Sequence, residues 1–371
     1  MKRRILHLTH TDLRFDNRIL KELKSLSMLK GIEVMAVGVR RDSDNGATQN
    51  VEEGFIVKNL NLFTLKLELF RVLKFQLFFF EYFFKVIYLL YRYRPDVIHC
   101  HDTLILPIGF IYSHFTRSKL IYDAHELESD KYGQGWLLGR ITLYVEKWCW
   151  KRIDGFITVS EGIKDWYFDH LGPKKVVVIY NAPYYVNVTS GNEISLKQRF
   201  SIPIESKCFV FVGALERGRR IEEILRSFSV LDDSFHVVFI GFGSLKNEIV
   251  SYSLNSGNIH YHEPVSHEMV RALIRGSYAG FCLIENISLS DYLSMPNKLF
   301  EYVNAGVPVI VFDNPDLSNF VSSMHIGYIF NEEMSLFDQI RDLNVDIKIE
   351  DSASFSWVNE ESKLIEFYKT L

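Results

Sequence analysis

Ser294–Ile310 reads SMPNKLFEYVNAGVPVI, and its punctuation predicts a short helix followed by a buried strand. Pro296 suits a first helical turn, where an N–H would go unpaired in any case. Lys298–Asn304 continues as helix, Ala305-Gly306 ends it, and Val307–Phe312 supplies the strand. The N–H groups left over around Asn297 make an anion site at a helix N-terminus. Glu301 falls about one turn in, where a carboxylate can accept two hydroxyl hydrogen bonds from a ribose.

The same rhythm of strand and helix extends in both directions. Upstream in the C-terminal half, strands are expected at Cys208–Val212, His236–Ile240, Asn258–Tyr261 and Ala279–Ile284, and downstream at Gly327–Ile329. The N-terminal half repeats the pattern at Arg4–Leu8, Glu33–Val39, Val97–His99, Lys119–Tyr122, Gly155–Val159 and Val176–Ile179, with helices such as Asn17–Leu29 and Gly139–Arg152 between. Strands alternating with helices argue for parallel sheets covered on both faces. The polar stretch Asn181–Glu193, with Pro183 and Gly191, reads as a linker. The expected class is therefore α/β, with two doubly wound Rossmann-like domains facing across a cleft that takes ligands at the carboxyl ends of the strands. Expected boundaries are residues 1–182, residues 196–355, and a C-terminal helix, 356–371, packing back on the N-terminal domain.

Composition fits this reading. With 371 residues, 47% hydrophobic and 24% charged, the chain is ordinary globular protein rather than a disordered or fibrous one. A net charge of −4 is no signature of a nucleic-acid binder. The charge is uneven: residues 1–180 carry 27 Lys/Arg against 21 Asp/Glu, and residues 181–371 carry 15 against 25. A basic half joined to an acidic half suits two domains with different partners. Cys100, Cys149, Cys208 and Cys282 form no CxxC pair and suit reduced thiols in the cytoplasm. Met1–Asp12 has no signal-peptide pattern.

Residues 62–94, LFTLKLELFRVLKFQLFFFEYFFKVIYLLYRYR, are aromatic and basic. Lys66, Glu68, Arg71, Lys74, Glu81 and Lys85 interrupt every window long enough to span a bilayer. An amphipathic helix of this kind can instead lie on an anionic membrane surface, and the competing reading is a helix packed on the sheet. Asp42-Ser43-Asp44 matches a metal-binding DxD but precedes the turn dipeptide Asn45-Gly46, so it reads as an exposed loop. Asn187-Val188-Thr189 and Asn286-Ile287-Ser288 match a glycosylation acceptor without any sign of secretion.

Taken as one string, PNKLFEY, then AG, then PV resembles a branch of the family 4 glycosyltransferases of the GT-B fold. Further matching strings run in order along nearly the whole chain: Asp16-Asn17-Arg18, Asp96-Val97-Ile98-His99-Cys100-His101-Asp102, Tyr122-Asp123-Ala124-His125-Glu126, Asn181-Ala182-Pro183, and GALERGRRIEE over Gly213–Glu223. The resemblance implies a retaining, metal-independent transferase of bacterial surface polysaccharide synthesis. Its substrate would be a UDP- or GDP-sugar rather than a bound cofactor, and its acceptor a glycan or lipid-linked glycan.

The roles it implies are these. His125 faces the transferred sugar, and Arg219 meets the phosphate charge. Glu301 holds the ribose, while Ser294, Met295, Pro296, Asn297 and Lys298 wrap the diphosphate or sugar. Gly213 and Gly241 let the backbone approach the donor, with Arg217 and Arg220 beside them. Acceptor contacts are expected from Asp16, Arg18, His101 and Asp102. His99 and His101 are read as facing opposite ways, one supporting the core and the other near the cleft. A zinc site of His99, His101 and His125 is set aside because no compact ligand spacing appears, and no metal is expected.

The sequence departs from the family pattern in three places. The first of two glutamates eight residues apart is Leu293, so its sugar contact must come from Glu285 or Asn286. Thr9-His10-Thr11-Asp12 replaces a glycine-rich loop. Ala214 stands where an arginine usually follows the first glycine, with Arg217 or Arg220 to compensate. Two other readings are a GT-B nucleotide-sugar epimerase or hydrolase using Asp123 or Glu126 as acid/base, and a non-catalytic partner subunit.

Overall fold

The structure, a computed structural model, describes residues 2–40, 49–52, 54–68, 70–185 and 195–371. Its contacts divide the chain into two compact units, Met1–Ile179 with Glu361–Leu371, and Tyr180–Glu360. Each is built on one twisted sheet.

The first sheet holds β1 (Arg3–Leu8), β2 (Ile32–Arg40), β3 (Gln49–Glu52), β4 (Phe55–Asn61), β5 (Val97–His101), β6 (Lys119–Ala124), β7 (Gly155–Thr158) and β8 (Val176–Val178). Their order is β3-β4-β2-β1-β5-β6-β7-β8, parallel throughout except for β3 against β4. β3 and β4 are additions to the expected strands. β4 reads poorly as a strand because Asn59 stands in it fully buried, its side chain accepting from Leu13 N at 3.2 Å and donating to Asp12 Oδ1 at 3.1 Å. That pair of bonds braces the loop Thr9–Asp12. The loop's Asp12 also holds Arg14 through two contacts, at 3.0 and 2.5 Å.

The second sheet holds β9 (Lys207–Ala214), β10 (Phe235–Phe242), β11 (Ile259–His262), β12 (Ala279–Phe281), β13 (Val309–Phe312) and β14 (Gly327–Phe330), in the parallel order β11-β10-β9-β12-β13-β14. Period-two alternation sends Phe209, Phe211 and Phe239 into one apolar cluster and Val210, Val212 and Val238 into the other, so both faces are covered. Strand order reverses between β1 and β5 in the first sheet and between β9 and β12 in the second. Such switch points open a crevice at the carboxyl ends of the strands, and the two groups of residues described next stand at them. Asp42-Ser43-Asp44 and Asn187-Val188-Thr189 lie outside the described residues.

Candidate active site

In the second unit, the helix Asn297–Asn304 is fixed by a single aromatic side chain. Tyr302 is fully buried. Its hydroxyl accepts from Val212 N at 2.8 Å and donates to Phe281 O at 3.1 Å, tying the helix to β9 and β12 at the switch point. Gly280 makes room for it, because a Cβ there would sit 2.6 Å from the Tyr302 ring. Pro296 is the cap residue, extended at φ −73° and ψ 144°, rather than the first helical residue. Proline's lack of an N–H costs nothing at this position, and no side chain caps the helix. Ala305 closes the helix, and Gly306 follows at φ +74°.

Around this helix the cationic candidates separate. Lys298 lies over the Phe211 ring at 4.3 Å. Burial first, and then the nearby Arg219, pull its ammonium down to about 8, while Glu301 acts the other way. Arg219 leads into the helix Ile221–Phe228, and Asp291 lies 4.0 Å from it. Lys298 is thus within electrostatic reach of both Arg219 and Glu301. Arg220, in the left-handed region at φ +55°, is held by Glu223 at 3.0 Å and Glu285 at 3.5 Å and lies over Phe312. Arg217 is 82% exposed, 4.0 Å from Glu222. Neither takes up the position beside Lys298 that Arg219 holds. Of the residues weighed in place of Leu293, Glu285 pairs with Arg220, and Asn286 accepts from Asn314 at 2.9 Å. Asn297 is exposed, Met295 is buried, and Ser294 donates to Asp291 O at 2.8 Å. Gly213 and Gly241 are opposite one another in the β9–β10 ladder at φ +117° and +149°, and a Cβ on Gly241 would meet Gly213 O at 1.9 Å.

In the first unit, parallel register gathers a buried polar cluster. His7 of β1 stands opposite His99 of β5, and His101 stands opposite Asp123 of β6. His99 and His101 face the same way, contrary to the reading above. Residues two apart on a strand share a face, and the rings stack with centroids 4.3 Å apart. The chain of rings continues outward. His125 Nε2 and His101 Nδ1 are 3.1 Å apart, His101 Nε2 and His7 Nδ1 2.9 Å. Inward, Tyr368 Oη stands 2.7 Å from His99 Nδ1 and 3.5 Å from His7 Nε2.

Asp123 is the hub. It is fully buried and accepts from Arg18 Nη2 at 3.2 Å. Its Oδ2 lies 3.5, 3.4 and 3.4 Å from His99 Nε2, His101 Nδ1 and His125 Nε2. Burial opposes its charge, yet Arg18 and His125 hold it well below the usual carboxylate range. Arg18 also donates to Ile179 O at 2.9 Å. Asp16 caps its helix, accepting from Ile19 N, and takes a bond from Thr11 Oγ1 at 2.9 Å. Asp102, at φ +66°, has Oδ1 3.8 Å from His125 Nδ1.

The electrostatics divide the imidazoles. Burial keeps His7, His99 and His101 neutral, His99 falling to about 3. Burial would do the same to His125, but Asp102 and Asp123 outweigh it and hold the ring at about 10. An imidazolium donates from both nitrogens. Asp123 Oδ2, 3.4 Å from both His125 Nε2 and His101 Nδ1, is the acceptor these rings share. Glu22, behind them, is pushed up to about 8 by burial and by Asp123. Sequence reasoning missed His7, Glu22 and Tyr368. Only their register across the sheet and the return of the C-terminal helix would have signalled them.

Two family models match the chain, Glycosyltransferase Family 4 over residues 19–182 and Glycosyl transferases group 1 over residues 206–346. The chain belongs to glycosyltransferase family 4. The family 4 match covers β2 to β8 with the helices between them, and the group 1 match begins just before β9. Among curated relatives, the chain is 25% identical to a chitobiosyldiphosphodolichol beta-mannosyltransferase of Kluyveromyces lactis, over 64% of this chain and 60% of that one. It is 23% identical to an uncharacterized glycosyltransferase of Methanocaldococcus jannaschii, over 59% and 57%. The matches thus span less than two thirds of those relatives' own lengths. Among solved structures, sucrose-phosphate synthase from Thermosynechococcus elongatus superposes with TM-score 0.78 at 13% identity, covering 100% of this chain and 99% of that one. Anabaena HepE in complex with UDP-glucose superposes with TM-score 0.70 at 16% identity, covering 99% and 100%. This family 4 chain has the GT-B fold, with two parallel-stranded α/β sheets.

Proposed function

We propose that the chain is a retaining glycosyltransferase, moving a sugar from a nucleotide diphosphate donor to a glycan or lipid-linked glycan in surface polysaccharide synthesis. The observation that carries this reading is the grouping of Arg219, Lys298 and Glu301 around a helix start at the switch point of the second sheet. Two neighbouring cations, one of them depressed by burial and by the other, are relieved by a bound anion. A diphosphate supplies that charge, and Glu301 is the ribose acceptor. Guanidinium, ammonium and helix amides then stabilise the leaving diphosphate without a metal. Retention follows if the leaving phosphate takes the acceptor proton on the face it departs from, with no protein nucleophile. His125, held as an imidazolium, is the group proposed to face the transferred sugar. Two names support the substrate classes: one solved neighbour carries UDP-glucose, and one relative is named for a diphosphodolichol-linked sugar. Asp123 does not suit the acid/base role an epimerase would need, since Arg18 and His125 hold it well below the usual carboxylate range, which leaves it no proton to give and makes it a weak base.

The acceptor side is proposed to meet an anionic membrane surface on its cytoplasmic face through residues 62–94. Among the described residues no helix is long and apolar enough to cross a membrane. The helix Arg71–Tyr93 turns Tyr82, Val86 and Leu90 inward. It leaves Leu73, Leu77, Phe80, Phe84, Tyr88 and Tyr91 exposed at helical spacing. Lys85 is engaged by Glu81 at 2.6 Å, so Lys74, Arg92 and Arg94 are the better cations for lipid.

Donor choice and mechanism are tested together. UDP and GDP should be screened by thermal shift, and the product of a matching nucleotide sugar analysed by NMR with EDTA present. A rise in Tm with one nucleoside diphosphate and a product keeping the donor's anomeric configuration are expected. An inverted product, or transfer abolished by EDTA, refutes the mechanism.

A further inference from the structure

The helix Trp136–Trp150 is amphipathic the wrong way round for a soluble domain. Its inward face carries Gly139, Glu146, Cys149 and Trp150. Glu146 is fully buried and accepts from Thr103 at 2.8 Å, Tyr122 at 2.6 Å and Tyr167 at 2.5 Å. Gly139 is pressed so close that a Cβ would lie 2.4 Å from Ser129 O. The outward face carries Trp136, Leu137, Leu138, Ile141, Tyr144 and Trp148, each at least half exposed. Large aromatic side chains left in water across a whole helix face signal an interaction site. The cations are placed to match: Arg140, Lys147 and Lys151 are exposed beside the stripe, and Glu146, the one acid in 136–151, is turned inside.

We infer that this helix is a second leg of the membrane-binding surface, docking on anionic lipid alongside the helix Arg71–Tyr93. The inference rests on the membrane reading of residues 62–94 and extends it. The helix Leu106–Phe115 lies between the two legs and touches both. Its Tyr112 donates to Leu90 O at 3.1 Å, and its Phe110 packs on Trp148 with centroids 4.3 Å apart. Phe115 at its end is 75% exposed, which carries the apolar surface across the gap. Aromatic rings with Lys and Arg around them suit the headgroup boundary of a bilayer. The cations select an anionic lipid surface over a neutral one.

The test uses the full chain and vesicles of phosphatidylglycerol with phosphatidylcholine, against phosphatidylcholine alone. The first-leg variant is F80S/F84S/Y88S and the second-leg variant W136S/I141S/W148S, each checked for unchanged far-UV circular dichroism and Tm. Wild type should co-sediment with the anionic vesicles, with tryptophan emission moving to the blue, and both variants should bind less. R140Q/K147Q/K151Q, which leaves the apolar stripe intact, should lower the partition coefficient about 10²-fold at low salt. If the first-leg variant is released while the second-leg and charge variants bind as wild type, the second leg is refuted and the first stands. If wild type binds no vesicles, the membrane reading itself falls. If neutral vesicles bind equally well, anionic lipid is the wrong occupant.

Discussion

Asp102→Asn isolates the charge on His125 with little disturbance. Asparagine is nearly isosteric with aspartate and tolerates the left-handed backbone found here at φ +66°. The bond from the residue 102 amide to Asp123 O, 3.0 Å, is kept. What disappears is the carboxylate 3.8 Å from His125 Nδ1, which also faces His10 Nδ1 at 3.9 Å and acts on Lys131 and Glu128. At that separation and an effective dielectric near 20, two unit charges attract by about 4 kcal/mol, which sets an upper limit of roughly three pKa units. Asp123 remains on the other ring nitrogen, at 3.4 Å. His125 should therefore fall from about 10 by roughly one to three units. The pH dependence has a definite sign. His125 is raised above its unfolded value near 6.5, so the stability it contributes is complete below pH 6.5 and is lost as pH rises through about 10. In the variant that loss is finished at lower pH. The stability difference between the two proteins should be largest near pH 6 and shrink above pH 10, where His125 is neutral in both. Ring-carbon NMR titration of labelled histidine reads the pKa directly, and urea unfolding at several pH values reads the stability. A His125 pKa unchanged to within a few tenths in the variant, or titrating near 6.5 in wild type, would refute the electrostatic account.

Other outcomes follow from the same geometry. Arg219→Ala should lower transfer by about 10²-fold or more, the scale of losing one group that meets developing charge. Wild-type turnover would remove its phosphate role. Glu301→Ala should raise donor KM strongly, and calorimetry showing unchanged donor affinity would remove its ribose role. Tyr368→Phe deletes the hydroxyl 2.7 Å from His99 and should cost about 1–3 kcal/mol in urea unfolding, the range for stranding a buried polar partner. Gly241→Ala drives a Cβ to 1.9 Å from Gly213 O at φ +149°, and its melting temperature should fall by several degrees. A stable variant there would show that the two strands can separate at no cost.

Much of the fold could be read because its signal is local. Each buried parallel strand is a short apolar run, and the helices between them carry an apolar stripe, so order and type follow from the chain itself. β4 escaped because Asn59 looks like a loop residue until its partners Asp12 and Leu13 are known. The candidate donor residues were legible for a similar reason, since Pro296 to Glu301 lie within one helical turn and a half. Position within the turn did not show that Arg219, rather than Arg217 or Arg220, would stand by Lys298. That choice depends on Arg220 being drawn off by Glu223 and Glu285.

The histidine cluster could not be read in this way. His7, Glu22, His99, His101, Asp123 and Tyr368 are scattered over 361 positions, and each is unremarkable where it stands in the sequence. Parallel register sets His7 beside His99 and His101 beside Asp123, and a helix from the far end of the chain brings Tyr368. A buried charge survives only where partners converge from several strands. His125 can thus hold its proton at the carboxyl end of the sheet because the carboxylates of Asp102 and Asp123 outweigh its burial, while the three rings behind it are kept uncharged by theirs. The inverted helix Trp136–Trp150 is the opposite case. Its residues were visible, but which face turned outward was decided by Glu146, whose three hydroxyl partners, Thr103, Tyr122 and Tyr167, come from elsewhere in the fold.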